Sequence, residues 1–305
     1  MLGFIADTWR SAVPHRNLPT VIGRALILLG LFCAGVGACT GGTSDWVLSE
    51  RGGAGGLGGG SEAGASGAEV SHPEAGSGGD AGAPTGERCP TRFETACAPL
   101  VVLDNKDSAG SGQLFTDAIP DPAMTLGCVA RDVCDVLFRK TTEIRDLTQI
   151  NVVIESFEGV SETYSVGSEA TIHMSSRYLQ QVADAQRDVR NEIASILYYQ
   201  ITNMYQSDDG DGTTLGWLVE GVANYVRHSA GYLPDGERRK GGKYDDGNTT
   251  TAFFLVWLDE QYPDFVYELN QGMSPSDPVV WSPSAFQDIT GRSVDQLWVS
   301  YQASF

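Results

Sequence analysis

The residues whose types and spacing could do chemistry lie in DVRNEIASILYYQITNMYQ, residues 188–206. A helix that holds catalytic zinc places two histidines four residues apart on one face, with a glutamate beside the first as general base. At the matching positions this chain has Tyr199, Gln200 and Asn203. A carboxamide cannot take a proton from water near neutral pH, and a phenol with a pKa of about 10 is a poor zinc ligand. On a helix Tyr199 and Asn203 still share a face, with Gln200 adjacent. The pattern is the frame of a zinc hydrolase without its reagents. Its plainer alternative is a half-buried tyrosine and a polar surface asparagine.

The following residues supply context. After the acidic loop SDDGDGTTLG comes WLVEGVANYVR, residues 217–227, in which Glu220 stands seventeen positions after Asn203. In the gluzincin class of zinc peptidases, a glutamate of the next helix supplies the third ligand at about this spacing. An acid four residues further on can orient the first histidine. Here that place is taken by Asn224, another carboxamide.

Other chemistries find less support. His173 and His228 are the two histidines beyond residue 89. His228 lies roughly 80° around a helix from Glu220, so both cannot easily face one ion. His173 reads as structural, for example in an interstrand hydrogen bond. Asp208, Asp209 and Asp211 invite a calcium reading but lack the glutamate that closes an EF-hand loop. Asp245 and Asp246 read as solvated in the same way. No Gly-Xaa-Ser-Xaa-Gly elbow follows a strand and opens a helix in this region.

The elements needed to position these residues are legible in outline. PLVVLD (99–104), INVVIES (150–156) and EATIHMS (169–175) read as strands. Residues 122–140 carry helical periodicity, and further helices are expected over 176–183, 186–206, 215–229, 248–261, 264–272 and 293–304. Asn248 offers N-cap chemistry, and Ser293 does so before the last apolar set. Strands followed by helices predict an α+β domain over residues 89–305, not a doubly wound sheet.

The rest of the chain predicts export. Arg10, Arg16 and Arg24 precede the apolar run ALILLGLFCAGVGA, and Val36-Gly37-Ala38-Cys39 fits a bacterial lipobox. Residues 1–38 therefore read as a lipoprotein signal peptide, with Cys39 as the lipidated residue; an ordinary secretory signal is the alternative. Thr40, in place of an aspartate, favours the outer membrane of the envelope. Residues 39–88, rich in Gly, Ala and Ser, have too little apolar surface to offset ordering entropy and read as a flexible tether. His72, within it, reads as a solvated imidazole. The net charge of −19 over 305 residues argues against nucleic acid or anionic lipid as a direct partner.

Four cysteines remain beyond the tether: Cys89, Cys97, Cys128 and Cys134. In an oxidising compartment they predict two disulfides. If Cys128 and Cys134 share a helix, about 9 Å of rise keeps them from bonding each other. Each is then expected to pair with Cys89 or Cys97. A zinc site of all four thiolates is the sharper alternative, although spacings of eight and six do not suit a zinc knuckle.

From Ile150 to Phe305 the chain resembles the plant basic secretory proteins and their bacterial relatives, the peptidases of plants and bacteria. DVRNEIASILYYQITNMYQ is similar to that family's Asp-Val-Arg-Xaa-Glu-Ile run and its Leu-Tyr-His-Glu-Xaa-Thr-His motif. GWLVEGVANYVRHSAGY resembles Glu-Gly-Ile-Ala-Asp-Phe-Val-Arg leading to Ala-Gly-Tyr, and TGRSVDQLWVSYQASF resembles the family's C-terminal helix. The resemblance implies a zincin (gluzincin-like) domain, with a small N-terminal sheet, an active-site-type helix and a helical C-terminal lobe. It also implies zinc as cofactor. The implied ligand positions fall on Tyr199 and Asn203, the base on Gln200 and the orienting acid on Asn224; only Glu220 is kept. Four neutral substitutions in one constellation predict loss of the metal, hence no cofactor and no catalytic residues.

The expectation is therefore a lipid-anchored extracytoplasmic pseudopeptidase whose former cleft binds a peptide or glycan. An active metallohydrolase with altered ligands and a purely structural envelope lipoprotein are the alternatives.

Overall fold

The computed structural model describes residues 89–208, 215–277 and 279–305. The expectations for the signal peptide, Cys39, His72 and the tether, and for Asp209 and Asp211, lie outside the described residues.

Four strands form one sheet: β1 (Leu100–Asn105), β2 (Gln149–Glu155), β3 (Ser161–Val166) and β4 (Glu169–Ser175), in the order β1-β2-β4-β3. β1 runs parallel to β2 and β2 parallel to β4, while β3 pairs antiparallel with β4 at the edge. Two helices, α1 (Gln113–Ala118) and α2 (Pro122–Leu137), connect β1 to β2. A parallel pair needs such a crossover, so strands and helices are less segregated than the sequence order suggested. After β4 come α3 (Ser176–Asp184), α4 (Val189–Tyr205), α5 (Gly216–Ser229), α6 (Asn248–Gln261), α7 (Phe265–Gly272), α8 (Ser284–Thr290) and α9 (Val294–Gln302). The domain is mixed α/β, with a small sheet and a helical remainder.

Local chemistry starts most of these helices where they start. The Asp121 carboxylate accepts from the Met124 amide, with Pro122 in the first helical position of α2. Asp188 accepts from Asn191 at the start of α4, and Ser175 from Tyr178 at the start of α3. Ser293 and Gln296 form a full capping box on α9. The expected cap at Asn248 is corrected. Gly247, at φ 74°, holds the cap position, and Asn248 is the first residue of α6. The Asn248 amide is instead taken by Glu220 of α5, so a neighbouring helix supplies the acceptor.

The inner face of the sheet (Ile150, Val152, Ile154, Ile172, Met174) is buried together with α2 and α4. α4 is enclosed on most sides, because every residue from Ile193 to Thr202 is buried, as are Met204 and Tyr205. Such a helix cannot shift without opening the core, and each large apolar side chain buried there contributes about 1.5–3 kcal/mol. α5 and α6 approach closely at Gly221, where a Cβ would lie 2.8 Å from Cβ of buried Thr251. Glycine permits that approach.

Cys89 is bonded to Cys128 and Cys97 to Cys134, with Cα atoms 4.9 and 6.6 Å apart. Both cysteines of α2 thus hold the segment that leads into β1. Pairing leaves none of these four cysteines as a thiolate for a metal, which corrects the four-thiolate alternative. Among the described residues, no helix is long and apolar enough to cross a membrane.

Candidate functional site

The five positions singled out from the sequence lie on two packed helices, Tyr199, Gln200 and Asn203 on α4 and Glu220 and Asn224 on α5. Gln200 is 3% exposed, and its Nε2 donates to Oγ of Ser161, the first residue of β3, at 2.7 Å. The side chain at the base position is thereby committed to the edge strand. Asn203 Oδ1 accepts from Gln206 Nε2 at 2.9 Å, and the same amide group donates to the carbonyl of Val219 at 3.2 Å. This ties the end of α4 to α5 one residue before Glu220.

Asn224 is fully buried and bonded on both sides of its amide. Its Nδ2 donates to the Glu220 carbonyl at 3.0 Å, and its Oδ1 accepts from Arg227 Nη1 at 2.9 Å. Tyr199 is 5% exposed and lines a cavity together with Arg227. Glu220 is half-buried beside Gly247, where a Cβ would stand 3.1 Å from Oε2 and 3.5 Å from Cα of Trp217. Trp217 in turn meets Tyr244 and Trp281 edge-on, at ring separations of 5.6 and 6.0 Å.

Burial lifts the Glu220 carboxyl above its ordinary pKa, and the Asn248 amide opposes this only partly. A carboxyl raised on folding favours the folded state while it is protonated. Its contribution is present below the unfolded pKa and is lost as pH rises through the folded value. Glu220→Gln keeps an acceptor for Asn248 and removes the charge. Its melting temperature is expected to exceed that of the wild type near pH 7 and to match it near about pH 3.5. Equal differences at both pH values in thermal melts would refute the assignment.

The other sequence candidates lie apart from this set. His173 Nδ1 bonds to Glu155 on the adjacent strand, and its Nε2 stands 3.5 Å from the Tyr164 hydroxyl. This is an interstrand contact of the kind expected. His228 Nδ1 bonds to the Leu233 carbonyl at 2.7 Å, with its ring edge-on to Phe253. Asp246 accepts from the Lys243 amide within the turn that precedes α6. Among the described residues, no cluster of three or more His, Cys, Asp or Glu is arranged to hold a metal ion.

The cavity itself was not read from the sequence. Besides Tyr199 and Arg227 it is lined by Tyr178, Glu192 and Ser195. The Tyr178 hydroxyl donates to Glu192 Oε1 at 2.6 Å, and Arg187 pairs with Oε2 at 3.3 Å. Burial and the Glu192 charge push the Tyr178 phenol up to about 12. One signal pointed to this place: Glu192 and Arg227 are ionisable residues set among apolar neighbours in two helices that pack together.

No curated protein and no solved structure matches the chain. A family model, described as peptidase of plants and bacteria, matches it over residues 98–301. That span covers most of the domain, from β1 to residue 301 within α9, and includes every position of the candidate site. The chain belongs to the family of peptidases of plants and bacteria.

Proposed function

We propose that the chain is a lipid-anchored, extracytoplasmic pseudopeptidase. It keeps a zincin, gluzincin-like frame and uses the former catalytic cleft to bind a peptide or a glycan. The observation that carries this reading is the commitment of Gln200: a buried amide, bonded to Ser161, occupies the place of the general base. An amide so held neither takes a proton from water nor approaches an ion.

The donor set as a whole does not fit zinc. Glu220 is the lone carboxylate among a phenol and three amides, and its carboxyl is engaged by the N-terminus of α6. Structural and catalytic zinc sites draw on thiolate, imidazole and carboxylate donors, three or four at a time. Amides and a phenol are instead good hydrogen-bond partners for a polar ligand. The envelope location rests on the lipobox ending at Cys39 and the tether over 39–88.

A peptidase assay tests the reading. The protein, supplied with micromolar zinc, is expected to leave casein and mixed peptide substrates uncleaved above background. Chelator-sensitive cleavage that is lost in Glu220→Ala would establish the active-hydrolase alternative in its place.

A further inference from the structure

The cavity beside Tyr199 has features that the loss of zinc chemistry does not account for. Its volume is about 50 Å³. A water needs roughly 10–15 Å³ by the same measure, so there is room for a group of about four heavy atoms. Glu192, Arg227 and Val160 in its lining are half-buried, whereas Ser161, Ser195 and Ile196 are buried and mark its inner end. Ser195 is 7% exposed, and among the described residues its hydroxyl has no hydrogen-bond partner. A buried hydroxyl left unpaired carries a desolvation cost that a bound acceptor removes.

The charges that line the cavity cancel. They are one carboxylate, Glu192, and one guanidinium, Arg227. A carboxylate entering it would face Glu192 and an ammonium would face Arg227. Neither would find a surplus of opposite charge to offset its desolvation, so the group that fits is neutral. That group must bring an acceptor for the Ser195 proton and apolar surface for Ile196. A donor can be answered by Glu192. This carboxylate accepts from the Tyr178 hydroxyl at 2.6 Å and from Arg187, outside the lining, at 3.3 Å. Those bonds use part of a capacity of about four. The Ser161 oxygen accepts from Gln200, and a hydroxyl that accepts still has a proton to give. Arg227 is already bonded to Asn224 and is needed here only as the counter-charge.

We propose that this cavity receives the acetamido group of an N-acetylated amino sugar, its carbonyl accepting from Ser195, its N–H donating to Glu192 and its methyl set against Ile196. A methyl, a carbonyl carbon, an oxygen and a nitrogen fill the volume, and the order of the three functions follows the lining from Glu192 inward. The carboxamide of an asparagine or glutamine side chain lacks the terminal methyl and would set its polar end against Ile196. Whatever continues beyond the N–H lies among Glu192, Arg227 and Arg187, so it must be polar. The hydroxyls of a sugar ring meet that demand, and the methylenes of an acetylated lysine do not. The inference deepens the cleft-binding reading by choosing the glycan. It rests on that reading in one respect, that the space beside Tyr199 faces a ligand.

Titrations of the full-length protein, followed by ligand-observed magnetic resonance, test it. The probes are the methyl glycosides of N-acetylglucosamine, glucosamine and glucose, the N-butanoyl analogue of the first, and a tripeptide with acetyl-lysine at its centre. The N-acetyl glycoside is expected to bind about tenfold or more tightly than the glucoside, because the acetamido group adds two hydrogen bonds and a buried methyl. The cationic glucosamine glycoside should show no such gain, and the N-butanoyl analogue, too long for the cavity, should lose it. Ser195→Ala is expected to reduce the preference several-fold and to leave the melting temperature unchanged, since the hydroxyl has no bond to lose within the protein. In the wild type, the acetyl methyl should show nuclear Overhauser contacts to Ile196. Equal binding of the N-acetyl glycoside and the glucoside, no binding of either, or a preference for the acetyl-lysine peptide would overturn the proposal. So would a Ser195→Ala variant that melts lower and keeps the preference. These outcomes are separable from the metal question, because zinc-dependent cleavage would refute the pseudopeptidase reading without altering the preference.

Discussion

Installing Tyr199→His, Gln200→Glu and Asn203→His together is expected to raise zinc affinity about a thousandfold or more over the wild type. Two imidazoles four residues apart on α4 would join Glu220 of α5, giving three ligands of the type that zinc accepts. Two observations support the proposed frame. α4 is locked by its buried side chains, and its C-terminal end is tied to the Val219 carbonyl next to Glu220. Glutamate at 200 can accept from the Ser161 hydroxyl where glutamine now donates, so the edge-strand contact survives with its polarity reversed. Zinc titration followed by calorimetry checks this. A variant that folds normally yet binds zinc no better than the wild type would mean that the two helices do not aim these positions at one point, and the gluzincin-like frame would fall with it.

The second large effect concerns stability. Replacing Cys97 and Cys134 by alanine is expected to cost about 3 kcal/mol. The loops closed by the two disulfides overlap, so the Cys97–Cys134 bond adds a new closure of only about 15 residues once Cys89–Cys128 is made. For a domain of this size the loss corresponds to a fall of about 6–12 °C in melting temperature. Both sulfurs are fully buried, so the alanines also leave a small void beside Phe93 and α2. Thermal and urea unfolding of the double variant measure it, and a loss below about 1 kcal/mol would contradict a stapling role.

Much of the site's frame is legible in the sequence, because short-range chemistry determines it. Ser293 marks a helix start that the structure keeps, helical periodicity marks α2 and α4, and β-branched runs mark β1, β2 and β4. β3 is not legible as SETYSV, since its side chains are polar and mostly exposed and its identity comes from pairing with β4. α1 and α8 are one to two turns long, too short for periodicity to register. The cap of α6 escaped because its acceptor, Glu220, belongs to another helix. The cavity escaped for the same physical reason. Glu192 and Arg227 lie far apart in the chain and come together only through the packing of α4 against α5. What the sequence does carry without help is the set of side chains at 199, 200, 203, 220 and 224, and hence the donor chemistry on which the proposal turns.

An anomalous difference map from crystals soaked in micromolar zinc tests the central claim most directly, because it reports occupancy and position together. No peak above noise is predicted within about 3 Å of the Glu220 carboxylate, a distance generous for any zinc–oxygen bond. A fully occupied site there, coordinated by the Tyr199 phenolic oxygen and the amides of Gln200 and Asn203, would contradict the account.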